Sequence, residues 1–175
     1  MFEVEPFWQL ARQMGRATFV TRHMGWYLLK HPGPVTLVPP GELGWNTVAV
    51  GVGSEEASDP YPGEWRMLEI RKRPGNPFPE RIGVGRAQNC DVVLRLPFVS
   101  KLHAHFVAGV GAGLRVVDSR SANGTSLNGR ELGQGEAADA TSGDWIGFGP
   151  LRLQLLDASD LFDTLQRRPP ASGSP

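Results

Sequence analysis

Four short pieces of this 175-residue chain carry residue types suited to gripping an anion and an extended peptide. In order they are Gly85-Arg86, Ser100-Lys101-Leu102-His103, Asp118 to Thr125 (DSRSANGT) and Asn128-Gly129. An arginine fork and a serine hydroxyl are good partners for a phosphate, since both donate short hydrogen bonds to anionic oxygen. An asparagine can donate to and accept from a bound backbone. Taken singly, each piece has an ordinary reading. Arg86 also reads as a surface charge, Ser100 as a turn hydroxyl and Asn123-Gly124 as a type I′ turn.

Signatures of catalysis are missing by comparison. Gly83-Val-Gly85-Arg-Ala-Gln88 begins like a dinucleotide loop but lacks the last glycine, and a strand is expected after it. Neither G-x-S-x-G nor GxxxxGK[ST] occurs. His103 and His105 share one face of an expected strand, but Cys90 is the only thiol and no carboxylate is suitably spaced, so no metal site is expected. Cys90 reads as a small buried hydrophobe. No nucleophile, base and orienting group can be named together, so the chain is read as a non-enzyme without a cofactor.

The elements that must position these pieces are mostly short strands. Met67–Arg71, Arg81–Val84, Val92–Arg95, His103–Val107, Leu114–Val117, Trp145–Phe148 and Leu151–Leu155 are rich in apolar and β-branched residues, and turn residues separate most of them. In the last of them, Leu151, Leu153 and Leu155 share a face, with Arg152 and Gln154 on the other. This pattern predicts a β-sandwich. The 22 glycines and 15 prolines agree, being spread without a repeat.

Before the strands, Phe7, Leu10, Met14, Ala17, Val20, Met24 and Tyr27 recur every three or four residues and predict a helix over roughly 5–30, weakened at Gly15 and Gly25. Its stripe reads as core packing, with a homodimer face through the N-terminal segment as the alternative. Residues 35–38 and 47–52 read as β-like pieces. The expected organisation is an N-terminal extension at 1–53, a linker at 54–63, a sandwich at 64–157, a C-terminal helix at 158–168 with Ser159 as its N-cap, and a frayed tail at 169–175.

Eighteen basic and eighteen acidic residues cancel, so no overall field favours nucleic acid. Residues 65–103 nevertheless hold eight basic and three acidic side chains, a local excess of +5. No apolar run is long enough to span a membrane. The N-terminus lacks the positive region of a signal peptide and a single cysteine cannot form an internal disulfide, so the expected location is cytoplasmic.

The ordered pieces I-G-V-G-R (82–86), C-D-V-V-L (90–94), S-K-L-H (100–103), D-S-R-S-A-N-G-T (118–125), N-G (128–129) and G-D-W-I-G-F-G (143–149) make residues 67–156 resemble a forkhead-associated (FHA) domain. This family recognises phosphothreonine. The resemblance implies an all-β sandwich of about eleven short strands flanked by the two helical segments. It implies phosphate contacts from Arg86, Ser100 and Lys101, and peptide contacts from Asn123, Gly124 and Thr125. Gly85, His103 and Asn128 would shape the loops. The implied role is a phosphothreonine-peptide adaptor in Ser/Thr kinase signalling, its partner a kinase or a kinase substrate. The alternative is a phosphate-independent scaffold or oligomerisation protein on the same fold. Three positions depart from the family pattern. Ala122 stands where many relatives have a polar residue, Phe98 where some have a basic one, and Ser126 where a bulky one is frequent.

Overall fold

The computed structural model describes residues 1–32, 63–111 and 113–167. The pieces expected at 35–38 and 47–52, the linker at 54–62 and the tail at 169–175 lie outside these residues.

The first segment does not form one helix through residue 30. A two-residue strand β1 (Phe2–Glu3) leads into helix α1 (Glu5–Gln13), which ends where Met14 turns extended. Gly15 caps a second helix, α2 (Arg16–Arg22), so the two helices run in different phase. The buried face matches the expected stripe only in part: Phe7, Met14, Val20 and Tyr27 do pack on one apolar core, but the helix residues buried deepest in it lie elsewhere. Trp8, Ala11 and Phe19 point inward, whereas Met24 is exposed. From Trp26 the chain is strand β2 (Trp26–Lys30), not helix.

Strand β2 explains the misreading. Its Leu28 enters the core between the sheets, while Tyr27 and Leu29 enter a second core on the sheet's outer face. A strand buried on both sides shows no polar alternation, and Tyr-Leu-Leu fits a helical or an extended period equally well. This strand pairs with both β3 (Arg66–Ile70) and the last strand, so the segment expected as an extension supplies an interior strand of the sandwich.

The remaining strands are β4 (Ile82–Gly85), β5 (Val92–Val93), β6 (Ala104–Ala108), β7 (Leu114–Asp118), β8 (Thr125–Leu127), β9 (Arg130–Glu131), β10 (Ala137–Ala140), β11 (Trp145–Phe148) and β12 (Leu151–Asp157). Helix α3 (Ala158–Arg167) closes the described chain. Twelve strands among the described residues make a seven-stranded sheet, β1-β3-β2-β12-β11-β8-β9, facing a five-stranded sheet, β10-β7-β6-β4-β5. Only β4 and β5 pair in parallel. The core between the sheets centres on Leu28, Val84, Phe106, Ile146, Phe148 and Leu153.

The second core lies under the three helices. Tyr27, Leu29, Met67 and Leu156 of the seven-stranded sheet meet Trp8, Phe19, Leu161, Phe162 and Leu165. Phe19 and Phe162 pack with ring centroids 5.3 Å apart. The Arg16 guanidinium forks onto Asp163 with two 3.0 Å bonds, tying α2 to α3, and Gln166 Nε2 donates to the Ala11 carbonyl at 2.6 Å. The N-cap of α3 is Asp157, whose Oδ1 accepts from the Asp160 amide at 2.8 Å. Ser159, the expected cap, is already inside the helix and its hydroxyl faces Arg16. No described helix is long and apolar enough to cross a membrane.

Candidate functional site

Three of the four pieces converge at one rim of the sandwich, and the tract Phe98–Lys101 between β5 and β6 organises them. Four consecutive carbonyls of this tract are taken. The Phe98 oxygen accepts from Asn123 Nδ2 at 2.8 Å, and the Val99 oxygen from Arg86 Nε at 3.1 Å. The Ser100 oxygen accepts from the Arg86 amide at 2.9 Å, and the Lys101 oxygen from the Ala87 amide at 3.1 Å. The Cys90 thiol also points to the Lys101 oxygen, at 3.2 Å. Burial and the neighbouring Asp91 charge push this thiol's pKa up, so Cys90 is an inert packing residue.

Gly85 is required by this arrangement. A Cβ there would sit 2.3 Å from the Lys101 oxygen and 2.9 Å from its carbonyl carbon. Any side chain would drive the Arg86 loop away from the tract it is bonded to.

Arg86 is exposed, and among the described residues no carboxylate pairs with it. Its Nε bond to Val99 fixes the guanidinium plane and leaves both terminal nitrogens available for a forked contact. Ser100 is set up in a complementary way. Its Oγ accepts from the Ala122 amide at 3.0 Å, which leaves the hydroxyl proton free to donate. The Lys101 amide has no partner among the described residues, and the Lys101 side chain is exposed. One tract thus presents a guanidinium, a hydroxyl and a backbone N–H at the surface.

His103 locks the loops from below. It is fully buried, its Nδ1 accepts from the Ser100 amide at 3.1 Å, and its Nε2 lies 2.9 Å from the Gly124 oxygen. Because Nδ1 accepts, Nε2 must carry the proton and donate. Burial holds the ring below the usual imidazole range. Both nitrogens are committed, and His105 is turned to the Ser119 hydroxyl at 2.9 Å, so the pair does not converge on a metal.

Asn123 bridges the tract to the 119–124 loop through Phe98, and the Gly149 amide donates to the Gly124 oxygen at 2.9 Å. Thr125, expected against the peptide, is fully buried. Its hydroxyl donates to Asp118 Oδ1 at 2.7 Å, so it braces the loop from within. Asn128, expected among the loop-shaping residues, shapes a different turn. With φ of 52° at Asn128 and 83° at Gly129, the positive-φ pair of an I′-like hairpin joins β8 to β9, and the alternative turn reading at Asn123-Gly124 does not apply. The Asn128 side chain donates to Asp144 Oδ1 and accepts from the Trp145 amide, both at 2.8 Å, at the far end of β8 from Gly124.

Two residues outside the expected set hold the rim. Buried Asp118 accepts from Thr125, from the Ser121 hydroxyl at 2.6 Å and from the Ser121 amide at 3.1 Å. A lone acid followed at three and seven residues by hydroxyls was the signal available for it. Asp91 anchors the loop before β4, accepting from the Arg73 amide, the Gly83 amide, Asn76 and Lys72 at 2.8 to 3.2 Å. Burial opposes its ionisation, but these bonds outweigh it and hold its pKa below the usual carboxylate range. The departures at Phe98 and Ser126 also find places. Phe98 packs into the sandwich core, and Ser126 faces Gly147 across the β8–β11 pair.

The family model of the FHA domain matches residues 82–149. An ABC transporter ATP-binding/permease protein of Mycobacterium tuberculosis is 31% identical over 116 residues, covering 66% of this chain and 12% of that protein, so the chain spans about an eighth of its relative. The solved FHA-2 domain of a Mycobacterium tuberculosis ABC transporter is 30% identical, with 63% of this chain and 86% of that one covered and a TM-score of 0.38. The FHA domain of a Chlamydia trachomatis protein is 17% identical, with 76% and 98% covered and a TM-score of 0.45. The family match and the motif residues assembled at the rim lead to one assignment: the chain carries an FHA domain, matched over residues 82–149.

Proposed function

We propose that this chain is a phosphothreonine-peptide-binding adaptor in Ser/Thr kinase signalling, acting in the cytoplasm as a binding module and not as an enzyme. The observation that carries the reading is the shared anchorage of Arg86 and Ser100 on the tract 98–101, each with donors left facing outward and no carboxylate paired to the arginine among the described residues. A phosphothreonine brings about −1.5 to −2 charges and three acceptor oxygens. The guanidinium would take two of these oxygens, with the Ser100 hydroxyl and the Lys101 amide on the third. Asn123 would hold the peptide backbone beside them. The partner would be a kinase or a kinase substrate carrying the phosphothreonine.

Calorimetry on the full chain, with a degenerate threonine-peptide library in phosphorylated and unphosphorylated form, tests this. Only the phosphorylated pool is expected to bind, and Arg86→Ala is expected to cost about 2–5 kcal/mol of affinity with the thermal midpoint unchanged. Equal binding of both pools would overturn the reading and favour a phosphate-independent scaffold.

A further inference from the structure

Where β5 ends the five-stranded sheet and β1 ends the seven-stranded one, a cavity of about 370 Å³ opens between the two sheet edges. Its walls come from β3 with the residues after it and from residues 91–96. Both edges are incompletely matched. β1 pairs only with Arg66 and Met67, so Leu68, Glu69 and Ile70 of β3 have no strand partner on that side among the described residues. On the facing edge the Leu94 amide donates to the Gly85 carbonyl at 2.9 Å. Backbone groups of a strand alternate sides, so the N–H and C=O of Val93 point away from β4, toward the free side. Met1 is next in line after Phe2, opposite Leu68, and both pack on the core between the sheets. The line of β1 therefore runs on along β3 at the cavity.

The lining holds four basic residues, Arg71, Lys72, Arg73 and Arg95, against two acids. Both acids are engaged. Asp91 has a fully covered side chain that takes Lys72, and Glu69 lies 3.7 Å from Arg71. Arg95 is exposed, and no carboxylate pairs with it among the described residues. An unpaired edge is a template for another strand, and a basic surround favours acids on it. We propose that this open side is a second interaction site, which takes an extended acidic segment of a partner protein by strand addition, in line with β1 and along β3. Apolar side chains of that segment would turn inward beside Met1, and acidic ones would meet Arg71 and Arg95 at the mouth. A second copy of this chain would bring the same basic edge and be repelled, so the partner is a different protein. None of Arg86, Ser100 and Asn123 lines the cavity, so the site stands apart from the phosphothreonine reading.

The experiment titrates the full isotope-labelled chain with a short blocked peptide of alternating valine and glutamate, read by amide chemical shifts and amide exchange. Shifts and slowed exchange are expected at residues 68–71, and the same peptide with lysine in place of glutamate is expected not to bind. Alternate residues of a strand send their amides to opposite sides, so two further peptides carry N-methyl groups on every valine or on every glutamate. One of these is expected to bind like the parent peptide and the other not at all. Arg71→Glu and Arg95→Glu are each expected to weaken the glutamate peptide about fivefold, with the thermal midpoint unchanged, and Arg86→Ala to leave its affinity as it was. Absence of shifts at residues 68–71 overturns the proposal. So does equal binding of the lysine peptide, binding of both methylated peptides or of neither, or an affinity that neither reversal moves. Loss of binding in Arg86→Ala overturns it too, because the glutamates would then be standing in for phosphate at the rim.

Discussion

The loop rim and the helical layer are built by different physics. Polar bonds hold the rim: four successive carbonyls, one buried histidine and two buried carboxylates fix loops that carry few apolar side chains. Apolar contact holds the helical layer, where Trp8, Phe19, Phe162 and Leu165 cover Tyr27, Leu29 and Met67. A rim of hydrogen bonds fixes side-chain directions but is costly to break, because the partner left behind is buried and unsatisfied. A packed layer tolerates adjustment yet supplies much of the stability. Strand β2 belongs to both, with Leu28 on one side and Tyr27 and Leu29 on the other.

The largest expected effect comes from separating the two regions. A chain beginning at Gly63 would leave β3 without a partner and β12 with only β11, and would remove Trp8, Ala11 and Phe19 from the core around Met67 and Leu156. It is expected to lose its cooperative thermal transition, and a soluble fragment that melts sharply would show that the regions are independent. Next in size, Phe19→Ala is expected to destabilise by about 3–5 kcal/mol by opening a cavity, with phosphopeptide affinity of the folded protein unchanged. Gly85→Ala should do the reverse. Its stability cost is about 1–3 kcal/mol, from backbone pushed off the Lys101 oxygen, but affinity should fall by at least about tenfold. Denaturant titration beside calorimetry separates the two outcomes, and equal affinity losses in both variants would erase the distinction.

The smallest effect is a pH slope. Burial lowers the pKa of His31, His103 and His105 in the folded chain. Below the unfolded value of about 6.5 the unfolded chain takes up more protons than the folded one. Stability is therefore complete above that pH and falls as the pH drops through 6.5 toward the folded values. Protonating His103 would also turn its Nδ1 from acceptor to donor against the Ser100 amide. Denaturation at pH 7.5 and 5.5 should show the loss, with a shallower slope in His103→Gln; identical slopes would remove His103 from the account.

Much of the sandwich was readable from alternation, because stretches such as Leu151–Leu155 turn their leucines to the core and set Arg152 and Gln154 on the other face. Strand β10 (AADA) was missed because its inward residues are alanines, too small to mark a periodicity. Strand β2 was misassigned because both its faces are buried. Arg86, Ser100 and Asn123 stood out by type and order, and the fold does bring them to one rim. The inward turn of Thr125 was not readable, because a hydroxyl looks the same whether it meets a peptide or Asp118. The acceptors that aim Arg86 and Asn123 are the carbonyls of Val99 and Phe98, and a backbone oxygen leaves no mark in the residue code.

Lys30 and Arg66 are directly opposed partners where β2 meets β3, and His31 stacks on Trp65 just beyond them, with ring centroids 4.6 Å apart. The chain therefore departs from the sheet and returns to it at one point. The entropic cost of joining two fixed anchors grows by only about 0.6 kcal/mol for each doubling of the length of a flexible connection. Sequence could be added between these anchors with little penalty to their pairing, which makes this junction a natural graft point for a reporter or a second module.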